Sequence, residues 1–170
     1  QLGTADALKM VDGLVDGNFP LINGDIIVKQ KDISRLISRN DNTMSVVEVE
    51  DAEDLGFVEL KRGRVTHIYE KVTRPPSRMA NAGLYLFTSD IFDAVSQTPK
   101  SRRGEYEITD SLQLLIDRGH RISYQKIDYW LDFSYPWDLL SANELLLAEA
   151  QASNLGEIEE NVVIKGAVTI

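Results

Sequence analysis

The chain has 170 residues, no cysteine and a formal net charge of −9. That length suits one domain with a sizeable core, and the absence of thiols excludes disulfides and thiolate metal centres and fits a cytoplasmic protein. The acidic balance argues against a nucleic-acid partner, which normally meets a basic face, and no apolar stretch is long enough to cross a bilayer.

In chain order, "TADALKMVDGLV" (4–15) has helical apolar spacing, with Thr4 as a plausible N-cap. Residues 19–23 predict a buried strand, 31–40 a helix and 43–50 a strand. "FVELKRGRVTHIYEKV" (57–72) predicts a hairpin turning at Arg62-Gly63, and "TRPPSR" (73–78) a loop, since two prolines cannot serve a central ladder. A strand (81–88) leads into a helix (89–98) capped by Ser89. A polar loop (99–107), a helix (108–119) ended by Gly119, a strand (121–127) and a helix (136–151) opened by Pro136 follow. Alternating strands and helices predict a layered α/β sheet with helices on both faces and ligands beyond the strand ends. In 156–170, aliphatic residues recur about every six positions, at Ile158, Ile164 and Ile170, as in a left-handed parallel β-helix; a β-hairpin tail is the plainer alternative. The chain opens on Gln1 and closes mid-pattern at Ile170, so it is read as a stretch of something longer.

Several polar residues interrupt or end these strands. Asn23-Gly24-Asp25 is either a turn between strands or a ligand site beyond a buried strand. Asp132, ending the short run Tyr129-Trp130-Leu131, is either a helix-capping residue or a second site carboxylate. Two carboxylates at strand ends are the usual cradle for Mg²⁺, which takes oxygen ligands and shares them with phosphates. Glu70-Lys71 is a solvated strand end, or a carboxylate for sugar hydroxyls beside a cation for phosphate. Asn81 is a turn cap or a hydroxyl contact. Arg102 and Arg103 belong to a solvated loop or form a guanidinium clamp for phosphate. His67 and His120 lack partners at metal-ligand spacing and are taken as structural. The acidic run 50–54 is a solvated turn and not a convincing Asp-x-Asp motif.

The ordered set "QLGTADAL", "PLINGD", "EDLGFVEL", "IYEK", "NAGLYLF", "RGEYEITD" and "WLDFSYPWDLLSANELLL" resembles the sugar-1-phosphate nucleotidylyltransferases over nearly the whole chain. The likeness is strongest to two-domain members that carry C-terminal hexapeptide repeats. It implies a Rossmann-like three-layer nucleotide-diphospho-sugar transferase fold with a mixed, mainly parallel sheet over 1–153. The start of a left-handed β-helix would follow over 154–170. It also implies transfer of a nucleotidyl group from UTP or dTTP to glucose 1-phosphate or N-acetylglucosamine 1-phosphate, with Mg²⁺. Full-length members would assemble as homo-oligomers through the β-helix. Gly3 and Thr4 would lie against the nucleobase, and Gly56, Glu70 and Asn81 would hold the sugar. Lys71 and Arg103 would meet phosphate, and Asp25 and Asp132 would bind the metal. Ser134 stands where members often have glycine, which bears on the backbone near Asp132. The family's glycine-rich phosphate loop would precede Gln1, so this stretch alone is expected to be inactive and to expose a sheet edge or raw apolar face. A non-catalytic assembly or regulatory subunit of the same fold is the alternative, and a glycosyltransferase of related architecture a third reading.

Overall fold

The computed structural model describes residues 2–50, 55–70, 72, 74–149 and 156–166. Contacts divide the chain into two units, Gln1–Trp130 and Leu131–Ile170. Residues 153 and 154, where the sequence places a boundary, lie outside the described residues.

The first unit is a six-stranded sheet. Its strands are β1 (Phe19–Ile22), β3 (Thr43–Glu48), β4 (Phe57–Lys61), β5 (Arg64–Tyr69), β6 (Met79–Phe87) and β7 (Ile122–Lys126). They lie in the order β1-β6-β3-β7-β5-β4. Around the sheet are α1 (Thr4–Lys9), α2 (Gln30–Ile37), α3 (Asp90–Gln97) and α4 (Ile108–Asp117), and β2 (Ile26–Val28) lies before α2.

The pleat of β6 sets the layers. Tyr85 and Phe87 point into a core shared with Ala5 and Leu8 of α1, Ile91 and Val95 of α3, and Leu112 and Leu115 of α4. Leu84 and Leu86 point the other way and meet Leu36 of α2. Alternation along one strand thus sends apolar side chains to both faces, which helices cover. The expected three layers are present, but the sheet is not mainly parallel. Among the described residues β3 and β7 pair in parallel, and the other ladders of this sheet are antiparallel. One antiparallel ladder follows from a short return: β4 and β5 are joined by a two-residue turn, which permits only antiparallel pairing. Arg62 and Gly63 both have positive φ, 50° and 77°, as a primed hairpin turn requires.

Two predicted helices end earlier than expected. The first stops at Lys9 and gives way to turns, with Gly13 at φ 75° and Leu14 largely exposed. The second stops before Ser38, and Ile37 is exposed. β1 is an edge of the sheet, and an apolar cleft of about 470 Å³ opens beside it, lined by Leu8, Val11, Phe19 and Leu21 among others.

Ser89 occupies the cap position of α3 but makes no side-chain capping bond. The junction is fastened by Asn42 instead, which is 5% exposed. Its Oδ1 accepts from the Thr88 amide at 2.9 Å, and its Nδ2 donates to Thr88 Oγ1 at 2.9 Å and Asp90 Oδ1 at 3.0 Å. Thr88 Oγ1 also donates to Asp90, and His120 Nδ1 lies 3.0 Å from Asp90 Oδ2. His120 is therefore a structural partner, and the exposed His67 packs on Tyr69 with centroids 4.4 Å apart.

In the second unit, α5 (Asp138–Glu149) buries Ala142 and exposes Leu139, Leu140, Leu146 and Leu147. β8 (Trp130–Asp132) lies at the division. The hexapeptide-patterned tail forms no strand among residues 156–166, and Ile158, Val162 and Ile164 are exposed. A β-helical coil gains its ladder and its core from the next coil, so a single pattern does not form one.

Replacing Asn42 by Ala is expected to cost about 2–3 kcal/mol in urea unfolding, because a buried amide amid three partners is lost. Burial works against ionisation of Asp90, but hydrogen bonds from Thr88 and Asn42, with His120 alongside, hold its carboxyl below the ordinary aspartate value. A carboxyl lowered on folding stabilises above its unfolded pKa and loses that contribution as pH falls through the folded value. Asp90→Asn should therefore lower stability at pH 7 and flatten its acid dependence; unfolding midpoints at neutral and acidic pH check this.

Candidate active site

The β4–β5 hairpin builds one side of the site. Phe57 pairs with Tyr69 on β5 and also with Ala80 on β6, so the hairpin end is tied back to the middle of the sheet. The Asn81 amide donates to the Gly56 carbonyl at 2.8 Å and extends that closure by one residue. Gly56, Glu70 and Asn81, which are 11 or more positions apart in sequence, are thereby brought together. A Cβ added at Gly56 would stand 3.3 Å from Glu70 Oε2 and 3.7 Å from Asn81 Cβ. Glycine leaves room there for the carboxylate to lie against the backbone.

Each member is held. Thr109 Oγ1 donates to Glu70 Oε2 at 2.9 Å. Asn81 Nδ2 donates to the Tyr85 hydroxyl at 2.6 Å, and its Oδ1 accepts from the Gly83 amide at 3.2 Å. Tyr85 is 1% exposed, and burial pushes its phenol well above the usual range.

β6 makes this geometry by bulging. Between the pairs Met44↔Tyr85 and Val46↔Asn81, β3 advances two residues and β6 advances four. Gly83 sits in the bulge at φ 70°, a conformation that a side chain strains. A Cβ there would lie 2.7 Å from Asn23 Nδ2, while the Asn23 amide donates to the Gly83 carbonyl at 2.8 Å. The bulge therefore seats Asn23, and Asn23 leads into the exposed Asp25.

Gly3 and Thr4 run along the 106–108 segment. Leu2 O accepts from the Tyr106 amide and Tyr106 O accepts from the Ala5 amide, each at 2.8 Å. A Cβ on Gly3 would come within 2.4 Å of Tyr106 O. The Thr4 hydroxyl caps α4, accepting from the Ile108 amide at 2.9 Å, and not α1 as its sequence position suggests. It satisfies an amide that the first turn of α4 leaves without a helical partner.

A cleft of about 600 Å³ adjoins Glu70, with Lys100, Arg102, Arg103, Glu107 and Asp110 in its walls. Arg103 is committed in part to Glu107, through Nε at 3.2 Å and Nη2 at 2.6 Å. Glu107 is 5% exposed, and its hydrogen bond raises the already high pKa of the guanidinium. Nη2 also lies 3.5 Å from Glu105 Oε2, and the remaining nitrogen, Nη1, carries two of the five guanidinium hydrogens. Burial, with Glu107 nearby, holds Asp110 above the usual aspartate range.

The expected sugar residues thus converge, and Arg103 lines the cleft that Glu70 also lines. Lys71 and residues 51–54 lie outside the described residues. Asp25 belongs to the first unit. Asp132 belongs to the second, half-buried at the end of β8, where it accepts from the Ser134 hydroxyl. No group of three or more His, Cys, Asp or Glu among the described residues is placed to hold an ion by itself. Sequence reasoning assigned no role to Thr109, Gly83, Tyr85 or Glu107. The spacing Asn81-x-Gly83-x-Tyr85 was a usable signal, since alternate strand residues share a face.

Gly83→Ala should cost about 2–3 kcal/mol, from the strained φ and the clash with Asn23. Urea unfolding measures this, and the Asn23 and Asp25 amides should show the largest local NMR shifts.

Residues 1–149 match the family described as nucleotidyl transferase. Over 169 residues the chain is 38% identical to a bifunctional protein GlmU of Methanocaldococcus jannaschii, a match covering 99% of this chain and 41% of that protein. It is 36% identical to a bifunctional sugar-1-phosphate nucleotidylyltransferase/acetyltransferase of Sulfurisphaera tokodaii, covering 88% and 38%. The chain thus spans about two-fifths of the length of these curated relatives. A solved putative glucose-1-phosphate thymidylyltransferase from Bacillus anthracis superposes with TM-score 0.71 at 28% identity, covering 84% of this chain and 60% of that one. A UDP-glucose pyrophosphorylase complexed with UDP-glucose shares the fold, with TM-score 0.75 at 22% identity, covering 88% and 64%. The chain belongs to the nucleotidyl transferase family.

Proposed function

We propose that the protein containing this chain transfers a nucleotidyl group from UTP or dTTP to a sugar 1-phosphate, glucose 1-phosphate or N-acetylglucosamine 1-phosphate, and releases pyrophosphate. The observation that carries the reading is the convergence of Gly56, Glu70 and Asn81 beside a cleft walled by Lys100, Arg102 and Arg103. A carboxylate and an amide suit sugar hydroxyls, and guanidinium suits phosphate. The names of the relatives from M. jannaschii and S. tokodaii and of the B. anthracis neighbour support the same class.

In this reading a phosphate oxygen of the sugar 1-phosphate attacks the α-phosphorus in line. A new P–O bond forms as the bond to the pyrophosphate leaving group breaks. Glu70 and Asn81 fix the sugar so that its phosphate is aimed, which converts binding energy into orientation. Arg103 meets the charge that grows on the phosphate oxygens, and Gly3 and Thr4 carry the base. Asp25 and Asp132 offer carboxylate oxygens, a donor chemistry that fits Mg²⁺. When bound, the ion would neutralise phosphate charge as the leaving group departs. Assembly through a hexapeptide β-helix belongs to the same proposal, supported by the period of residues 156–170.

Pyrophosphate release by the full-length protein with Mg²⁺, across UTP, dTTP and the two sugar 1-phosphates, tests the reading. Activity with at least one pair is expected, and silence across the panel favours a non-catalytic assembly subunit. Glu70→Gln should raise KM for the sugar 1-phosphate about 10- to 100-fold and leave the triphosphate KM nearly unchanged. Asp25→Asn and Asp132→Asn should each lower kcat by about 100-fold or more; wild-type turnover in either would remove the metal-binding role proposed for that residue.

A further inference from the structure

We infer that Thr109 is a positioning residue that sets the orientation of the Glu70 carboxylate, and that α4 is the rail on which the sugar side of the site is aligned. The inference rests on the sugar-side role given to Glu70 above. Thr109 is 5% exposed and donates its hydroxyl to Glu70 Oε2 at 2.9 Å. The same oxygen faces Gly56, where an added Cβ would stand 3.3 Å away. Glu70 Oε2 therefore lies between a hydroxyl and a bare backbone, and the Thr109 hydroxyl gives that oxygen a direction.

Four residues further along α4, Gln113 Oε1 accepts from the Ile68 amide at 2.9 Å. Positions i and i+4 lie on one face of a helix. One face of α4 thus grips both the backbone of β5 and the carboxylate just beyond its end. The start of α4 is itself fixed, because Ile108 donates to the Thr4 hydroxyl at 2.9 Å. The surroundings give the bond its purpose. Glu107 and Asp110 lie at the same helix end, and both line the cleft with Glu70. Lys100, Arg102 and Arg103 line the same cleft, so Glu70 stands among charges of both signs, and a neutral hydroxyl donor gives its carboxylate one direction among them. Glu107 is already engaged by Arg103 at 2.6 Å, so the donor from Thr109 acts on Glu70 itself.

The test uses steady-state kinetics of the full-length protein with Mg²⁺, its active triphosphate and its active sugar 1-phosphate. Thr109→Val removes the hydroxyl at nearly constant volume. It should raise KM for the sugar 1-phosphate about tenfold and change KM for the triphosphate less than about twofold, the worth of one hydrogen bond to a charged group. Thr109→Ser keeps the hydroxyl and should restore most of the loss. If the valine variant does not fold, the contrast between Thr109→Ser and Thr109→Ala isolates the hydroxyl. Equal losses for both substrates, or no rescue by serine, would overturn the positioning role. So would an unchanged sugar KM in Thr109→Val while Glu70→Gln raises it. If Glu70→Gln itself leaves the sugar KM unchanged, the sugar-side reading of Glu70 fails and this inference fails with it.

Discussion

The closure of β4 onto β6 is the constraint on which the candidate site depends. It consists of one register pair, Phe57↔Ala80, and one further hydrogen bond from the Asn81 amide to the Gly56 carbonyl. Without it, Glu70 just beyond β5 and Asn81 on β6 would have no reason to meet at Gly56. With it, the two-residue turn at Arg62-Gly63 and the one-residue shift between Glu59 and Leu60 together set the register that places Gly56 against Glu70. The backbone sets the distances, and side chains from α4 and β6 then set the directions.

The polar groups of the site are supported from an apolar interior. Tyr85 lies in the core beside Phe87, yet its hydroxyl receives the Asn81 amide. A buried phenol with a partner costs little, and it prevents the amide from rotating. The bulge at Gly83 supplies a second restraint on Asn81 and also seats Asn23. Rigid strands thus hold groups that a loop would leave loose, as binding geometry demands. An overall charge of −9 does not conflict with phosphate chemistry, because Lys100, Arg102 and Arg103 place cations in the cleft wall beside its carboxyl groups.

Local pattern made part of this legible. The hairpin could be read because Arg62-Gly63 interrupts two β-prone runs, and the layers because strands and helices alternate. Long-range pairing could not be read. Thr4 has the chemistry of a cap, but the amide it accepts from lies 104 positions away, on α4. The resemblance implied a mainly parallel sheet, and it is the hairpin and the returns to β6 that make it mostly antiparallel. Apolar spacing overran α1 because periodicity does not register Gly13 in a left-handed conformation. Glu70, Asn81 and Asp25 were ambiguous one by one; their order along the chain suggested roles, and for Glu70 and Asn81 the fold supplies the proximity.

A crystal structure of the full-length protein with its nucleotide sugar and Mg²⁺ tests the central claim most directly. The account predicts sugar hydroxyls about 3 Å from the Glu70 carboxylate and the Asn81 side chain, with Gly56 at the ring. A sugar bound elsewhere, with Glu70 and Asn81 making only the internal contacts described above, would contradict it.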